Sequence, residues 1–363
     1  MKKIFSHLVK FDWLLIICLF LIIGIGLLSL YSISLSKNDF SNLKKQLIFI
    51  GIGVILMILA SFVDWKIFRD NSYLILTIYL ICLILLIGLF FFAPQIRGIK
   101  GWYKIGSLSF DPIGLTNLTL IILLAKFFSM RHIEMYRLSH IIISGLYTFF
   151  PFILISSQPN LGSGLILLFV WIGILIISGI KLRHFFLLLL CGILILSLSW
   201  QFALKDYQKK RIIGFLTPQI EPLGTNWSQN QAKIAIGSAG LWGKGFGNGF
   251  QTKYGFLTEP QTDFIFSSFA EEFGLIGIIL LFLLYGFLIW RILRIGINSL
   301  SNFPRLFATG FAIFLMAQIS IHIGMNLGIL PVIGISLPLI SYGGSSLITI
   351  FIGIGFLESI KVH

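Results

Sequence analysis

An aspartate at position 263 stands where a polar stretch gives way to an apolar run, in the order Thr262-Asp263-Phe264-Ile265-Phe266-Ser267. Upstream lie Lys209, Lys210, Arg211, Lys233 and Lys244, set among Gly237, Gly240, Gly243, Gly245, Gly247 and Gly249. One carboxylate near several cations suits transfer of a sugar from a lipid diphosphate. The carboxylate takes the proton of the acceptor hydroxyl, and the cations steady the departing diphosphate, so no general acid is required. A single base on the far face of the sugar gives inversion, as in inverting glycosidases. Glycines let backbone N–H groups approach an anion closely and lysines add point charge, although the spacing is not that of a P-loop. Two plainer readings stand beside this one. Asp263 complements the dipole of a helix capped by Thr262, or the lysines form a solvated basic face near anionic lipid.

These residues need a frame, and the composition says which kind. Of 363 residues, 57% are apolar and only 11% charged, whereas soluble domains run at about 45–50% and about 25%. Runs of about 20 apolar residues cross a bilayer as helices. Ten are legible, near 13–33, 46–63, 73–93, 112–129, 139–156, 161–180, 185–203, 263–289, 306–328 and 332–357. The fold class is therefore an all-α polytopic membrane protein forming one unit over 1–363, with a large extracytoplasmic loop at about 204–262 between helices 7 and 8. The N-terminal run is too long for a cleaved signal peptide and reads as a retained first helix.

An even number of spans puts both termini on one side. Short loops on that side carry more than twice the Lys and Arg of the short loops opposite, which makes both termini cytoplasmic and the large loop external. The excess of 27 basic over 13 acidic residues is thus largely topological, and no basic helix or zinc spacing supports a nucleic-acid partner. Cys18, Cys82 and Cys191 lie apart inside apolar runs and imply neither a disulfide nor a metal site.

Further segments bear on the site. Residues 94–112 mix turn signals with Arg97, Lys100, Trp102 and Lys104; they form either an interfacial segment or a cationic wall for a lipid headgroup. Residues 326–350 hold Pro331, Pro338, the Gly343-Gly344 pair, Ser341, Tyr342, Ser345 and Ser346, the pattern of a broken helix lining a polar cavity. At 100° per residue, Asp263, Ser267, Ala270, Gly274 and Gly277 fall within about 40° of one line, a small polar stripe below the acid. Glu271 and Glu272 lie deeper, where ionisable groups are candidate functional residues, and pairing with an arginine or lysine of another helix is the plainer expectation.

The words DYQKKR (206–211), QAKIAIGSAGLWGKG (231–245), TDFIFSSFAEEFGLIG (262–277) and GILPVIGISLPLISYGGSSL (328–347) resemble the SEDS family (shape, elongation, division and sporulation proteins, of the RodA and FtsW type), its elongation branch most closely. The resemblance runs through nearly the whole chain. It implies a peptidoglycan glycosyltransferase that polymerises lipid II at the outer face of the bacterial plasma membrane. A class B penicillin-binding protein and elongation-complex membrane proteins would be its partners. It leaves room for a divalent cation, Mg or Mn, at the diphosphate. By position, Asp263 matches the family's proposed general base. Gln208, Arg211, Lys233, Lys244 and Glu259 match recurring positions of the loop, and Ser341, Tyr342, Gly343 and Gly344 match the signature of the last helix; Lys100 and Ser345 join them as candidate substrate contacts.

The chain departs from the family pattern at several points. An acid of the Gln-Pro-Asp-Leu-Gly word is Asn160, a Glu and a Lys of another word are Gly114 and Asn117, and a recurring Asn is His322. Loss of Glu and Lys together is what a paired bridge permits, since removal of one alone strands a charge. The competing expectations are a lipid II flippase, which calls for charges on several helices at mid-membrane depth, and a non-catalytic scaffold for the cross-linking partner.

Overall fold

The structure is a computed structural model that describes residues 7–94, 101–106, 108–130, 138–158, 160–202, 208–209, 213–215, 217 and 227–363. Apolar runs become helices because a helix satisfies its own backbone groups where no water can. Among the described residues, eight helices are long and apolar enough to cross a membrane: Trp13–Lys37, Ser41–Phe62, Ser72–Phe92, Pro112–Ser129, Leu138–Ser157, Ile265–Ile297, Asn302–Leu327 and Gly344–Val362. Two further apolar helices, Leu161–Ile177 and Leu182–Phe202, take the sixth and seventh places in the expected order. The chain is an integral membrane protein. Among the described residues, the one addition to an all-α frame is a small antiparallel hairpin, Tyr103–Ile105 against Leu108–Phe110, inside the segment 94–112.

Helix starts follow local chemistry. Asp12 accepts from the Leu15 N–H at 3.2 Å and opens the first span. Asp111 accepts from Ile113 N–H at 2.8 Å ahead of Pro112, which has no N–H to satisfy at the first helical position. Gly328, at φ 76°, closes Asn302–Leu327 in the left-handed conformation that glycine tolerates best.

The centre of the bundle is built from Pro112–Ser129, Asn302–Leu327 and Gly344–Val362, each more than 70% buried over its most apolar window. Phe307 and Phe311 of the second of these meet Phe356 and Phe314 in a ring-packed core. Asp12, at the start of the first span, meets Lys361 near the end of the last at 3.4 Å, and the Lys66 ammonium donates to the His363 carbonyl at 3.2 Å. Both ends of the chain therefore share one end of the bundle.

Two spans differ from expectation. The eighth runs over 265–297 rather than 263–289 and is broken at Gly274, whose backbone (φ 65°, ψ −165°) is not helical. The stripe from Asp263 to Gly277 therefore does not continue as one line, because the helix restarts below Gly274. The tenth begins at Gly344, not at 332. Residues 329–343 are irregular, with Pro331 opening a stretch without regular structure, Pro338 at the start of a turn and a left-handed Leu339 (φ 67°). Irregular backbone at membrane depth persists only where protein surrounds it. Two glycines make that close approach possible. A Cβ on Gly26 of the first span would stand 2.8 Å from the Ile340 Cα, and one on Gly162 would stand 2.7 Å from the Ile333 carbonyl oxygen. Tyr285 adds a buried hydrogen bond to the Pro338 carbonyl at 2.5 Å.

Candidate active site

Asp263 lies half-buried in a turn, two residues ahead of the helix that begins at Ile265. The turn is set by Glu259, whose left-handed backbone (φ 51°) lets its carbonyl accept from both Thr262 and Phe264 N–H, at 3.2 and 3.3 Å. Thr262 is not the cap; that position falls to Phe264, whose side chain makes no capping bond. The cap comes instead from another helix. Asn326 Oδ1 accepts from the Ser267 N–H at 3.2 Å and the Ser267 hydroxyl at 2.6 Å. Its Nδ2 donates to the carbonyls of Asp263 at 3.0 Å and His322 at 2.8 Å. This fully buried amide thus holds the first turn of the helix and the Asp263 backbone together.

The irregular stretch before the last helix grips the same turn from the other side. The Ser341 hydroxyl donates to the Thr262 carbonyl and accepts from Leu337 N–H, both at 2.8 Å. Tyr342 N–H donates to the Gln261 carbonyl at 2.9 Å. Gln46 of the second span bonds Ser341 O and Gly343 N–H, each at 3.3 Å. Gly334, at φ 72°, faces the carboxylate: a Cβ there would stand 3.9 Å from Asp263 Oδ2. Ser341, through its hydroxyl, and Tyr342, through its backbone N–H, thus fasten the turn. Ser345 accepts from Asp111 N–H at 2.8 Å and donates to Ser109 O at 3.4 Å, tying the last helix to the small hairpin.

Lys233 sits on the helix Trp227–Gly237 with its aliphatic stem over Gly328, where a Cβ would meet its Cδ at 2.9 Å. Gly328 is two residues beyond Asn326, so the exposed Lys233 stands at the end of the bundle that carries Asp263. Gln229 of the same helix donates to the carbonyls of Met325 at 2.8 Å and Leu330 at 2.7 Å. That satisfies oxygens orphaned at the end of Asn302–Leu327.

Lys244 is placed differently. Its ammonium meets Glu271 Oε1 at 2.8 Å, with the glutamate fully buried, roughly two helical turns below Asp263. The glycine-rich segment is docked by the same acid and its neighbour. Lys244 and Gly245 N–H donate to the carbonyls of Glu271 and Glu272 at 2.9 and 3.1 Å, and Gln251 N–H donates to the Glu271 carboxylate. Ser32 of the first span bonds Glu272. These N–H groups grip the broken helix, where an anion cradle was expected. Glu271 thus pairs with Lys244 of the loop, not with a cation on another helix as expected. Replacing Lys244 by Met and Glu271 by Gln, singly and together, is expected to give a coupling of about 0.5–3 kcal/mol in thermal unfolding; additive effects would contradict the latch.

Gln208 is buried and engaged; Glu259 and Asp263, both half-buried, are engaged as well. Lys100 and Arg211 lie outside the described residues. The departures from the family pattern have local explanations. Asn160 still caps its helix, accepting from Ser163 N–H at 3.3 Å. Gly114 makes room for Thr349, whose hydroxyl would stand 2.5 Å from a Cβ, and Asn117 donates one turn back to Ile113 O at 3.1 Å. His322 is buried and bonds Ile335 O at 2.7 Å, bracing the irregular stretch.

Sequence reasoning missed Asn326, Gln46 and Gln229. An amide inside an apolar span, close to a Gly that ends the helix, was the available signal. Asn326→Ala is expected to lower the thermal unfolding midpoint, at about 1–3 kcal/mol for each buried group left without a partner. An unchanged midpoint would remove Asn326 from its structural role.

A polar turn fixed from three sides, carrying one acid at the end of a bundle of membrane-spanning helices, is the site of an integral membrane protein of the kind the sequence resembles. The comparisons agree. The FtsW/RodA/SpoVE family profile, described as a cell cycle protein family, matches residues 12–363, and the chain belongs to that family. It is 33% identical to the peptidoglycan glycosyltransferase MrdB of Escherichia coli K12, over all of this chain and 96% of the relative. It is 36% identical to the stage V sporulation protein E of Bacillus subtilis, over 96% of each. Among solved structures it is similar to a chain from work on the structural coordination of polymerization and crosslinking by a peptidoglycan synthase complex (TM-score 0.82, 30% identity, 97% of each chain). It is also similar to the rod shape determining protein RodA of Thermus thermophilus (TM-score 0.72, 29% identity, 97% and 96% of the two chains).

Proposed function

We propose that this chain is a peptidoglycan glycosyltransferase of the elongation type, polymerising lipid II at the outer face of a bacterial plasma membrane. Both termini are then cytoplasmic and the Asp263 end of the bundle faces outward. The observation that carries this reading is the fixation of Asp263. Asn326, Ser341 and Tyr342 all bond the backbone of residues 261–263 and leave the half-buried carboxylate facing Gly334, which has no side chain. A base held in this way needs no reorganisation when it takes a proton.

In the reaction the acid removes the proton of the N-acetylglucosamine 4-hydroxyl as its oxygen attacks the anomeric carbon of the second substrate. The bond to the polyprenyl diphosphate breaks, the diphosphate leaves as an anion, and the anomeric centre inverts. Lys233, at the same end, supplies charge to that anion, with Arg211 and Lys100 as further contributors. Lys244 acts through Glu271 by holding the loop against the helix. A class B penicillin-binding protein that cross-links the strands is the partner expected of the elongation type.

The test is synthesis of glycan strands from lipid II by the purified chain with that partner in detergent. Strand formation that depends on this chain supports the proposal. Lipid II movement across protein-only liposomes without any polymer would favour a flippase instead.

A further inference from the structure

At the end of the bundle opposite Asp263, where the two termini meet, a second polar cavity of about 320 Å³ opens among Asp12, Arg291, Arg294, Asn298, Ser299 and Lys361. Its lining sets three cations against one carboxylate. Asp12 is already engaged: it pairs with Arg291 Nη2, stands 3.4 Å from Lys361, and caps its own helix through Leu15 N–H. That ion cluster explains why the first, eighth and tenth spans meet here. Glu358 accepts from Asp12 N–H at 2.9 Å and adds a second acid behind the cluster, and among the described residues no ion pair reaches Arg294. Arg291 Nε is shut off from solvent and has no hydrogen-bond partner among the described residues. Arg294 lies on the exposed side of the cavity, its guanidinium 5.2 Å from the Trp290 ring centre. The Arg294 guanidinium, the cations Arg291 and Lys361 and the amide of Asn298 line one cavity and together form a receptor for a tetrahedral oxyanion, which Arg recognises through paired N–H groups.

The surroundings say where such an anion comes from. Trp290 is 48% exposed, and Ile297 and Leu300, which flank the lining residues Asn298 and Ser299 in the chain, are 71% and 100% exposed. Indole rings settle at headgroup level, and an apolar rim beside a cationic cavity suits a ligand with both a phosphate and acyl chains. Basic pockets between membrane helices bind lipid headgroups by this combination. We propose that the cavity binds the phosphate of an anionic phospholipid from the leaflet on the side of the two termini. The bound lipid would bridge Arg291 and Arg294 and complete the polar contacts among the three spans. This is separate from the substrate site, and its success or failure does not depend on the proposed glycosyltransfer.

The full chain purified into nanodiscs of phosphatidylglycerol and phosphatidylcholine, then released and weighed by native mass spectrometry, provides the test. The intact protein is expected to retain phosphatidylglycerol over phosphatidylcholine. Arg294→Gln is expected to cut that retention about fivefold, the factor carried by one basic side chain near a lipid surface, with its unfolding midpoint in phosphatidylcholine unchanged. Arg294→Lys, which keeps the charge and loses the fork, should fall between. Displacement of the retained lipid by millimolar inorganic phosphate would keep the oxyanion site and assign it to a soluble phosphate ester. Equal retention of the two lipids, or equal retention by the intact protein and Arg294→Gln, would overturn the proposal.

Discussion

Asp263→Asn is expected to lower the rate of glycan polymerisation by about 10²–10⁴-fold, the range that a positioned general base contributes, while leaving the fold intact. The amide keeps the shape of the carboxylate and disturbs none of the bonds that Asn326, Ser341 and Tyr342 make, since those go to the backbone of residues 261–263. What it removes is the negative charge and with it the ability to take a proton. The unfolding midpoint should therefore remain near that of the unaltered chain. A variant that folds normally and polymerises at full rate would show that the acid plays no chemical part. A variant that fails to fold would point instead to a structural role for the carboxylate.

The second large effect is expected at Gly274, where the eighth span breaks. Its backbone lies in a region essentially reserved for glycine, so any side chain there costs about 1–3 kcal/mol in backbone strain alone. The Cβ of an alanine would also stand 2.2 Å from Gly243 N and 2.5 Å from Leu241 O. Those are main-chain atoms and cannot rotate away. They belong to the segment docked by the bonds of Lys244 and Gly245 N–H to Glu271 and Glu272, and of Leu275 and Ile276 N–H to Gly240 and Leu241. Gly274→Ala is therefore expected to cost more than about 4 kcal/mol, in the exceptional range for one substitution, or to release the loop. Hydrogen exchange separates the two outcomes, because release would speed exchange at Lys244, Gly245, Leu275 and Ile276. Unchanged exchange together with an unchanged midpoint would contradict the docking described here.

Much of the frame was legible because a bilayer leaves the chain few choices. Apolar runs must become helices, and the described spans fall close to where hydropathy put them, apart from the break at Gly274 and the late start of the last helix at Gly344. Asp263 was legible too, since a lone acid at the mouth of an apolar run stands out against so few charges. The rest depended on contacts that sequence spacing does not encode. Gly274 looked like one member of a small-residue stripe, yet it breaks the helix so that Gly243 can pack against it. Lys244 and the glycines near it read as an anion cradle, but the glutamates that occupy their donors lie more than twenty residues further on. Pro331 and Pro338 signalled irregular backbone correctly. They did not reveal that Gly26 and Gly162, on two distant helices, would admit the extended chain between them. Asn326 went unnoticed because one amide in an apolar helix has many possible partners, and only the fold brings Ser267 and Asp263 to it.

The most direct test of the central claim measures lipid II binding and polymerisation side by side for the unaltered chain and Asp263→Asn, each with its penicillin-binding partner. A proton acceptor that acts at the reacting hydroxyl leaves binding close to that of the unaltered chain and stops strand growth. Strand growth at the original rate, or a loss of binding large enough to account for all of the lost activity, would contradict it.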